Sequence, residues 1–206
     1  MIRKHCLFIL GFFLLGLLLS GCPKKIPVPV IIEKPTIENP IGKLLETFSF
    51  ADSLQAKVSI RIDTVRSGEE MRLPAIQGFV LYQRPDKLRI LGYHPLGMGL
   101  LFDALYRNGE FFLLLPLQKR VYTGEVSQFD DLIEKAGPIE VFSERPEGSE
   151  IPNRIRIELV EKETRIDLRL REISINSLLP EDSFQWVVLE GVEVEPLAKL
   201  LKKKLR

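Results

Sequence analysis

Strict two-residue alternation of apolar and charged side chains is the feature that most constrains this chain. Lys57-Val58-Ser59-Ile60-Arg61-Ile62-Asp63, Arg154-Ile155-Arg156-Ile157-Glu158-Leu159 and Arg165-Ile166-Asp167-Leu168-Arg169-Leu170 each place aliphatic residues on every second position. Successive side chains of a strand point to opposite faces, so each segment has one face for a core and one for water. Between and around them the chain predicts further strands at Gln77–Gln83, Lys87–Tyr93, Gly99–Tyr106, Glu110–Leu115, Lys119–Thr123, Ile173–Leu178 and Phe184–Leu189. Ser67-Gly68, Arg84-Pro85-Asp86 and Asn108-Gly109 punctuate them, the last being the strongest hairpin signal in the chain. Strands in hairpin succession predict a mainly β, α+β domain built on a curved antiparallel sheet.

Helices are few. Asn39-Pro40 supplies a cap and a first-turn proline, and Ile41, Leu44, Leu45 and Phe48 follow as one apolar stripe. Gln128–Lys135 predicts a second, short helix stopped by Gly137-Pro138. So little helix cannot cover about nine strands. The sheet must close on itself, or its inner face is partly plugged and keeps an apolar cavity. Glu110-Phe111-Phe112-Leu113-Leu114-Leu115 is apolar on both faces. That pattern suits a central strand covered on both sides, or a strand with one face lining a hydrophobic site.

The chemistry-bearing residues are sparse. Beyond His5, His94 is the sole histidine, so a paired-histidine metal site has no residues to form it. No nucleophile elbow and no phosphate- or dinucleotide-binding glycine pattern occurs, so neither catalytic residues nor cofactors are expected.

The N-terminus carries Arg3 and Lys4 without an acid, then an apolar run from Leu7 to Leu19. That run is shorter than the ~20 residues that span a bilayer core and has the layout of a secretory signal. Leu19-Ser20-Gly21-Cys22 resembles the lipobox of bacterial lipoproteins. The resemblance implies cleavage before Cys22 and acylation (palmitate among the chains) of that cysteine, with residues 1–21 as signal peptide. Once Arg3 and Lys4 leave with it, the 29 Lys+Arg and 28 Asp+Glu of the chain are in near balance, which argues against nucleic acid as a partner. Pro23, Pro27, Pro29, Pro35 and Pro40 favour extended chain, so residues 22–40 are expected to be a tether and residues 41–206 one domain.

Order as well as residues then resembles the LolA/LolB superfamily, which carries lipoproteins across the periplasm by enclosing their acyl chains. The alternating strand at Lys57–Asp63 is followed by Gly78-Phe79-Val80-Leu81-Tyr82, then Pro85-Asp86-Lys87-Leu88-Arg89. Pro95-Leu96-Gly97 and a strand ending at Asn108-Gly109 come next, and Leu179-Pro180-Glu181-Asp182-Ser183-Phe184 follows late in the chain. The resemblance implies a half-open, unclosed β-barrel with a small helical lid. It also implies a hydrophobic cavity, here Val58, Ile60, Ile62, Phe79, Leu81, Ile90, Phe102, Phe111 and Leu113. In the LolB branch a Pro-Leu-Gly turn projects an apolar leucine toward the membrane, a position held here by Leu96 with Met98 behind it. An ordinary loop leucine folded onto the core is the other reading of Leu96. The chain departs from LolB in lacking its Leu-Pro-Val and Trp-Leu-Gly segments; Trp186 lies near the end instead.

At the C-terminus Leu197, Leu200, Leu201 and Leu205 share a helical face among Lys199, Lys202, Lys203, Lys204 and Arg206. These cations suit a helix C-terminus or an anionic lipid surface. The expectation is a monomeric, non-enzymatic lipoprotein anchored through Cys22 in the outer membrane and facing the periplasm. It would bind acyl chains of lipoproteins or lipids, with a LolA-like carrier as partner. The alternative is an interaction lipoprotein of the envelope with the same fold and a fully packed core.

Overall fold

The computed structural model describes residues 30–32, 40–97, 99–125, 137–186 and 190–199. The signal segment, Cys22, Met98, the helix expected at 128–135 and the leucines from 200 onward lie outside the described residues. One sheet organises the rest. Its strands are β1 (Val30–Ile32), β2 (Ser53–Arg66), β3 (Glu69–Arg72), β4 (Ile76–Gln83), β5 (Lys87–Tyr93) and β6 (Leu100–Arg107). β7 (Glu110–Leu115), β8 (Arg120–Glu125), β9 (Ile139–Pro146), β10 (Arg154–Leu159), β11 (Thr164–Ile175) and β12 (Glu193–Pro196) follow. The spatial order is β1-β9-β10-β11-β2-β4-β5-β6-β7-β8-β12, with β3 a short hairpin partner of β2. β1 and β12 end that order on opposite sides, so the sheet stays open: a curved, mainly β half-barrel.

Helix α1 (Pro40–Phe48) starts at the proline that the sequence offers as its first turn. Its stripe faces the sheet: Ile41 and Phe48 are buried, and Leu44 and Leu45 pack against the core. That core gathers Leu54, Ala56, Val58 and Ile60 of β2, Val80 and Tyr82 of β4, and Leu88 of β5. Val141, Ile155, Leu168 and Leu170 join them from β9, β10 and β11. Side chains from strands at both ends of that list meet in one cluster because the sheet wraps around it. β2 and β11 pair over most of their length, Ile60 opposite Leu168 and Ile62 opposite Ile166, as two strictly alternating strands must to share one buried face.

Three expectations need correction. The sheet is antiparallel except at β12, which runs parallel to β8. Its direction follows from its approach. β11 ends beside Leu54 at one end of the sheet, and the chain crosses the outer face before entering β12 beside Arg120 at the other end. Ile173–Leu178 is not a separate strand. β11 runs on through a bulge between Arg171 and Ser174, where Glu172 has a φ of 48°, and stops before Asn176, whose φ is 53°. Phe184–Trp186 is not a strand either. The Arg89 guanidinium donates to the Ser183 carbonyl at 2.7 Å and that of Arg107 to the Phe184 carbonyl at 2.9 Å. Trp186 stacks on Phe112, ring centroids 5.4 Å apart. The backbone there serves the outer face of the sheet instead of a strand ladder.

Within residues 22–40, Val30–Ile32 pairs with β9, Val30 opposite Pro146 and Ile32 opposite Glu144. The hairpin at Asn108-Gly109 forms as predicted, with both residues left-handed at φ 49° and 82°.

Candidate lipid-binding face and rim

Cross-strand register decides which side chains share the inner face. One row runs Ala56, Val80, Ile90, Ala104, Leu113, Tyr122 across β2, β4, β5, β6, β7 and β8. A second runs Leu54, Tyr82, Leu88, Tyr106, Phe111, and a third Val58, Gly78, Gly92, Phe102. Of the nine cavity candidates, Val58, Ile60, Ile62, Ile90, Phe102, Phe111 and Leu113 therefore share this face. Phe79 and Leu81 do not. Phe79 stands opposite Lys57 and Leu91, and Leu81 opposite Gln55 and Arg89, on the outer side. The apolar run Phe79-Val80-Leu81-Tyr82 hides its own parity; Val80 and Tyr82 hold the inner positions. Leu168, Leu170 and Ile155, also inner, were legible from alternation.

This face is filled at one side and less so at the other. Phe48 of α1 meets Tyr82 with ring centroids 5.8 Å apart, and Val58 and Ile60 are almost fully buried. Ile62, Ile90 and Phe102 remain half-buried around that core. Phe111 and Leu113, also half-buried, pack with Leu115 against a second small cluster of Tyr122 and Leu197. Glycine makes room in the third row. Gly92 sits at a bulge, and a side chain there would strike the Phe102 ring.

Charged groups reach this face at its β12 edge, where Arg120 of β8 lies opposite Leu115 and Glu193 and 3.4 Å from the Glu193 carboxylate. Glu195 of β12 pairs with Tyr122 of β8, and its side chain is 3% exposed. The Lys199 ammonium donates to it at 2.8 Å and holds its carboxyl below the ordinary value, while burial pushes the other way. On the outer face, the Arg89 guanidinium grips the Asp103 carboxylate with two bonds of 2.9 and 2.7 Å. The hydrogen bond to Asp103 raises the Arg89 pKa, against the effect of burial. Together with the bond to Ser183, this pair pins the crossing segment to the sheet.

Leu96 lies at the tip of the β5–β6 loop and is 78% exposed. The loop is shaped by its own bonds: His94 N–H to the Gly99 carbonyl at 2.9 Å, Gly97 N–H to the His94 carbonyl at 2.9 Å, and Leu96 N–H to His94 Nδ1 at 3.2 Å. The imidazole thus acts as an acceptor within the turn. Leu96 is directed to solvent, and the reading in which it folds onto the core does not hold. Among the described residues no group of three or more His, Cys, Asp or Glu could hold a metal ion. No helix among them is long and apolar enough to cross a membrane.

A cavity of about 630 Å³ opens between the β2–β3 hairpin and the β10–β11 turn, lined by Asp63, Val65, Met71, Arg72, Leu159 and Val160 among others. Another of about 490 Å³ lies beside the Asn108-Gly109 turn, with Lys87, Arg107, Leu179 and Phe184 in its wall. Both have mixed walls, and neither includes an inner-face candidate.

No family model matches the chain. No curated protein matches it either. Among solved structures it is similar to an uncharacterized conserved protein from Thermus thermophilus, with 11% identity and a TM-score of 0.44 over 76% of this chain and 96% of the other. It is similar to a LolA superfamily protein from Nitrosomonas europaea, with 14% identity and a TM-score of 0.44 over 71% and 98% of the two chains. An outer membrane lipoprotein-sorting protein domain from Vibrio parahaemolyticus matches at 12% identity and a TM-score of 0.39, over 70% and 95%. Likenesses at these scores decide nothing about function.

Proposed function

We propose that this chain is a lipid-anchored envelope lipoprotein that takes acyl chains onto the inner face of its half-barrel and releases them into a membrane. The observation that carries this reading is an unclosed sheet whose apolar inner face is only half-covered at Ile62, Ile90, Phe102, Phe111 and Leu113. Half-buried aliphatic and aromatic side chains on a concave wall gain about 0.8 kcal/mol for each methylene of a ligand they shield from water. A chain of a dozen methylenes is then held by hydrophobic burial alone, with no covalent chemistry. Leu96, exposed on a self-bonded loop, supplies an apolar point for contact with the receiving bilayer.

Acylation at Cys22 holds the domain at the outer membrane, facing the periplasm, where a LolA-like carrier delivers cargo. The protein acts as a monomer without metal or cofactor. The second reading, a packed interaction module, is favoured by one observation: Val58 and Ile60 are already buried in the core cluster that includes Phe48 of α1.

Binding of a fluorescent fatty-acyl probe to the chain from residue 22 onward, with Cys22→Ser, separates the two. Saturable micromolar binding that Phe111→Arg abolishes, with circular dichroism unchanged, is the expected result. A well-folded protein that does not bind leaves the interaction module.

A further inference from the structure

The register collects four turns at one end of the half-barrel. Gln77 opposite Tyr93 and Ile60 opposite Ile76 bring the β5–β6 loop to the side of the β2–β3 hairpin. Asp103 opposite Leu114 and Leu115 opposite Arg120 add the β7–β8 turn. Thr64 opposite Thr164 and Leu159 opposite Thr164 add the β10–β11 turn. Three of these turns expose an apolar side chain, whereas the β2–β3 turn is Ser67-Gly68 and its nearby exposed apolar residues, Met71 and Leu73, lie on β3 and just after it. Leu96 and Leu117 are 78% exposed, Val160 48%, Met71 41%, and Leu73, beside the hairpin, 39%. The hairpin turns at the other end are polar, with Arg84-Pro85-Asp86, Asn108-Gly109 and Glu147-Gly148. The exposed apolar residues there, Ile175 and Leu178, lie at the end of β11 and on the crossing segment.

We infer that this whole rim, with Leu117 and Val160 as anchors alongside Leu96, is a surface that inserts into the interface of a lipid bilayer. The inference rests on the proposed delivery of acyl chains to a membrane and adds the docking geometry. Turn tips are ordinarily Gly, Asn, Asp, Pro or Ser, and an exposed leucine at two of them gains nothing in water. Met71 and Val160 line one cavity, and the β5–β6 and β7–β8 turns lie further along the sheet edge. A protein partner would need a matching pocket for each, whereas a bilayer interface accepts apolar tips wherever they fall.

Charge indicates the kind of bilayer. Arg72, Lys119 and Lys162 flank the tips, but Glu69, Glu70, Glu161 and Glu163 stand among them. The rim therefore lacks the basic excess that selects anionic lipid, and docking comes from apolar insertion. The proposed anchor is compatible. β1 enters the sheet with Val30 at the end away from the rim. From Cys22 to Val30 an extended chain reaches at most about 28 Å, roughly the length of an eight-residue strand, so anchor and rim can meet one membrane.

The test is co-flotation of the Cys22→Ser chain with phosphatidylcholine vesicles, at low and at high salt. The unsubstituted chain should partition to the vesicles with little dependence on salt. Leu117→Glu and Val160→Glu should each lower the partition coefficient about tenfold, and the double variant more. Leu178→Glu, whose parent side chain is fully exposed at the far end, should change nothing. Melting temperatures confirm that each variant is folded. Vesicle binding that survives the double variant, or that falls equally with Leu178→Glu, overturns the inference, as does a parent chain that never floats. Acyl-probe binding, measured in parallel, keeps the two proposals apart: a chain that binds probe but not vesicles loses the rim, and one that floats but binds no probe loses the carrier.

Discussion

Alanine at Gly78 and at Gly92 should have unequal effects, although both glycines lie in one inner-face row between Val58 and Phe102. A Cβ at Gly92 would lie 2.2, 2.7 and 2.8 Å from three carbons of the Phe102 ring. Carbon contacts are comfortable at about 3.5–4.0 Å, so the ring must retreat by more than an ångström. Overpacking of this kind costs about 1–3 kcal/mol. Alanine recovers about 0.5–1 kcal/mol over glycine in a strand. The net loss for Gly92→Ala is about 1–2 kcal/mol, or roughly 2–8 °C in melting temperature for a domain of this size.

At Gly78 the obstacle is backbone. The new Cβ would lie 1.8 Å from the Leu91 carbonyl oxygen and 2.9 Å from its carbon. Leu91 belongs to the neighbouring strand of the same ladder, so relief means breaking β4–β5 pairing. Gly78→Ala should then cost about 4 kcal/mol or more, a large part of the roughly 5–15 kcal/mol typical of a domain. Urea unfolding followed by circular dichroism reads both. A shorter side chain at Phe102 separates the causes, since Phe102→Leu should rescue Gly92→Ala and leave Gly78→Ala unrescued. Gly78→Ala as stable as its parent, or rescued equally by Phe102→Leu, refutes the steric argument. Gly92→Ala also moves a proposed ligand-contacting ring, so acyl-probe affinity should fall with it.

Arg89→Met leaves the Asp103 carboxylate, 5% exposed, without its bidentate partner and should cost about 3–5 kcal/mol, whereas Arg89→Met with Asp103→Leu should recover most of that; a double-mutant cycle by urea unfolding measures it. The Glu195 carboxyl is depressed in the folded state, so its contribution is present above the ordinary 4.5 and is lost as pH falls through the folded value. Thermal unfolding across that range should show a flatter acid limb for Glu195→Gln. Leu96→Glu should alter stability by no more than about 0.5 kcal/mol, keep acyl-probe binding, and lose transfer of the probe to acceptor vesicles.

Alternation was enough to place β2, β10 and β11 and to name their buried residues, because each has a charged face that only water or an ion pair can satisfy. The Arg154 and Arg156 guanidiniums with Glu144 and Asp167 show that face in use, with contacts of 2.7 to 3.4 Å. Reading failed where both faces are apolar. Phe79 and Leu81 read as inner-facing from the sequence, and lie on the outer side, because β4 carries no charge to reveal its parity. β7 is apolar twice over for a reason that lies far along the chain. Phe111 and Leu113 face inward, while Phe112 lies under Trp186.

That crossing segment was the least legible part, since its function depends on partners remote in sequence. Arg89 and Arg107 look like ordinary outer-face charges until the carbonyls of Ser183 and Phe184 reach them. Pinning the segment there also fixes the direction of β12, which must enter from the rim and so runs parallel to β8. Glu195 reaches the inner face only through that parallel register. The Glu195 carboxylate beside Tyr122 thus depends on the Arg89–Asp103 clamp on the opposite face. Disrupting the clamp should release Glu195 from Arg120 and Tyr122 of β8, so the acid limb of Arg89→Met should flatten toward that of Glu195→Gln. An acid limb unchanged by Arg89→Met would mean that β12 holds its register without the crossing segment.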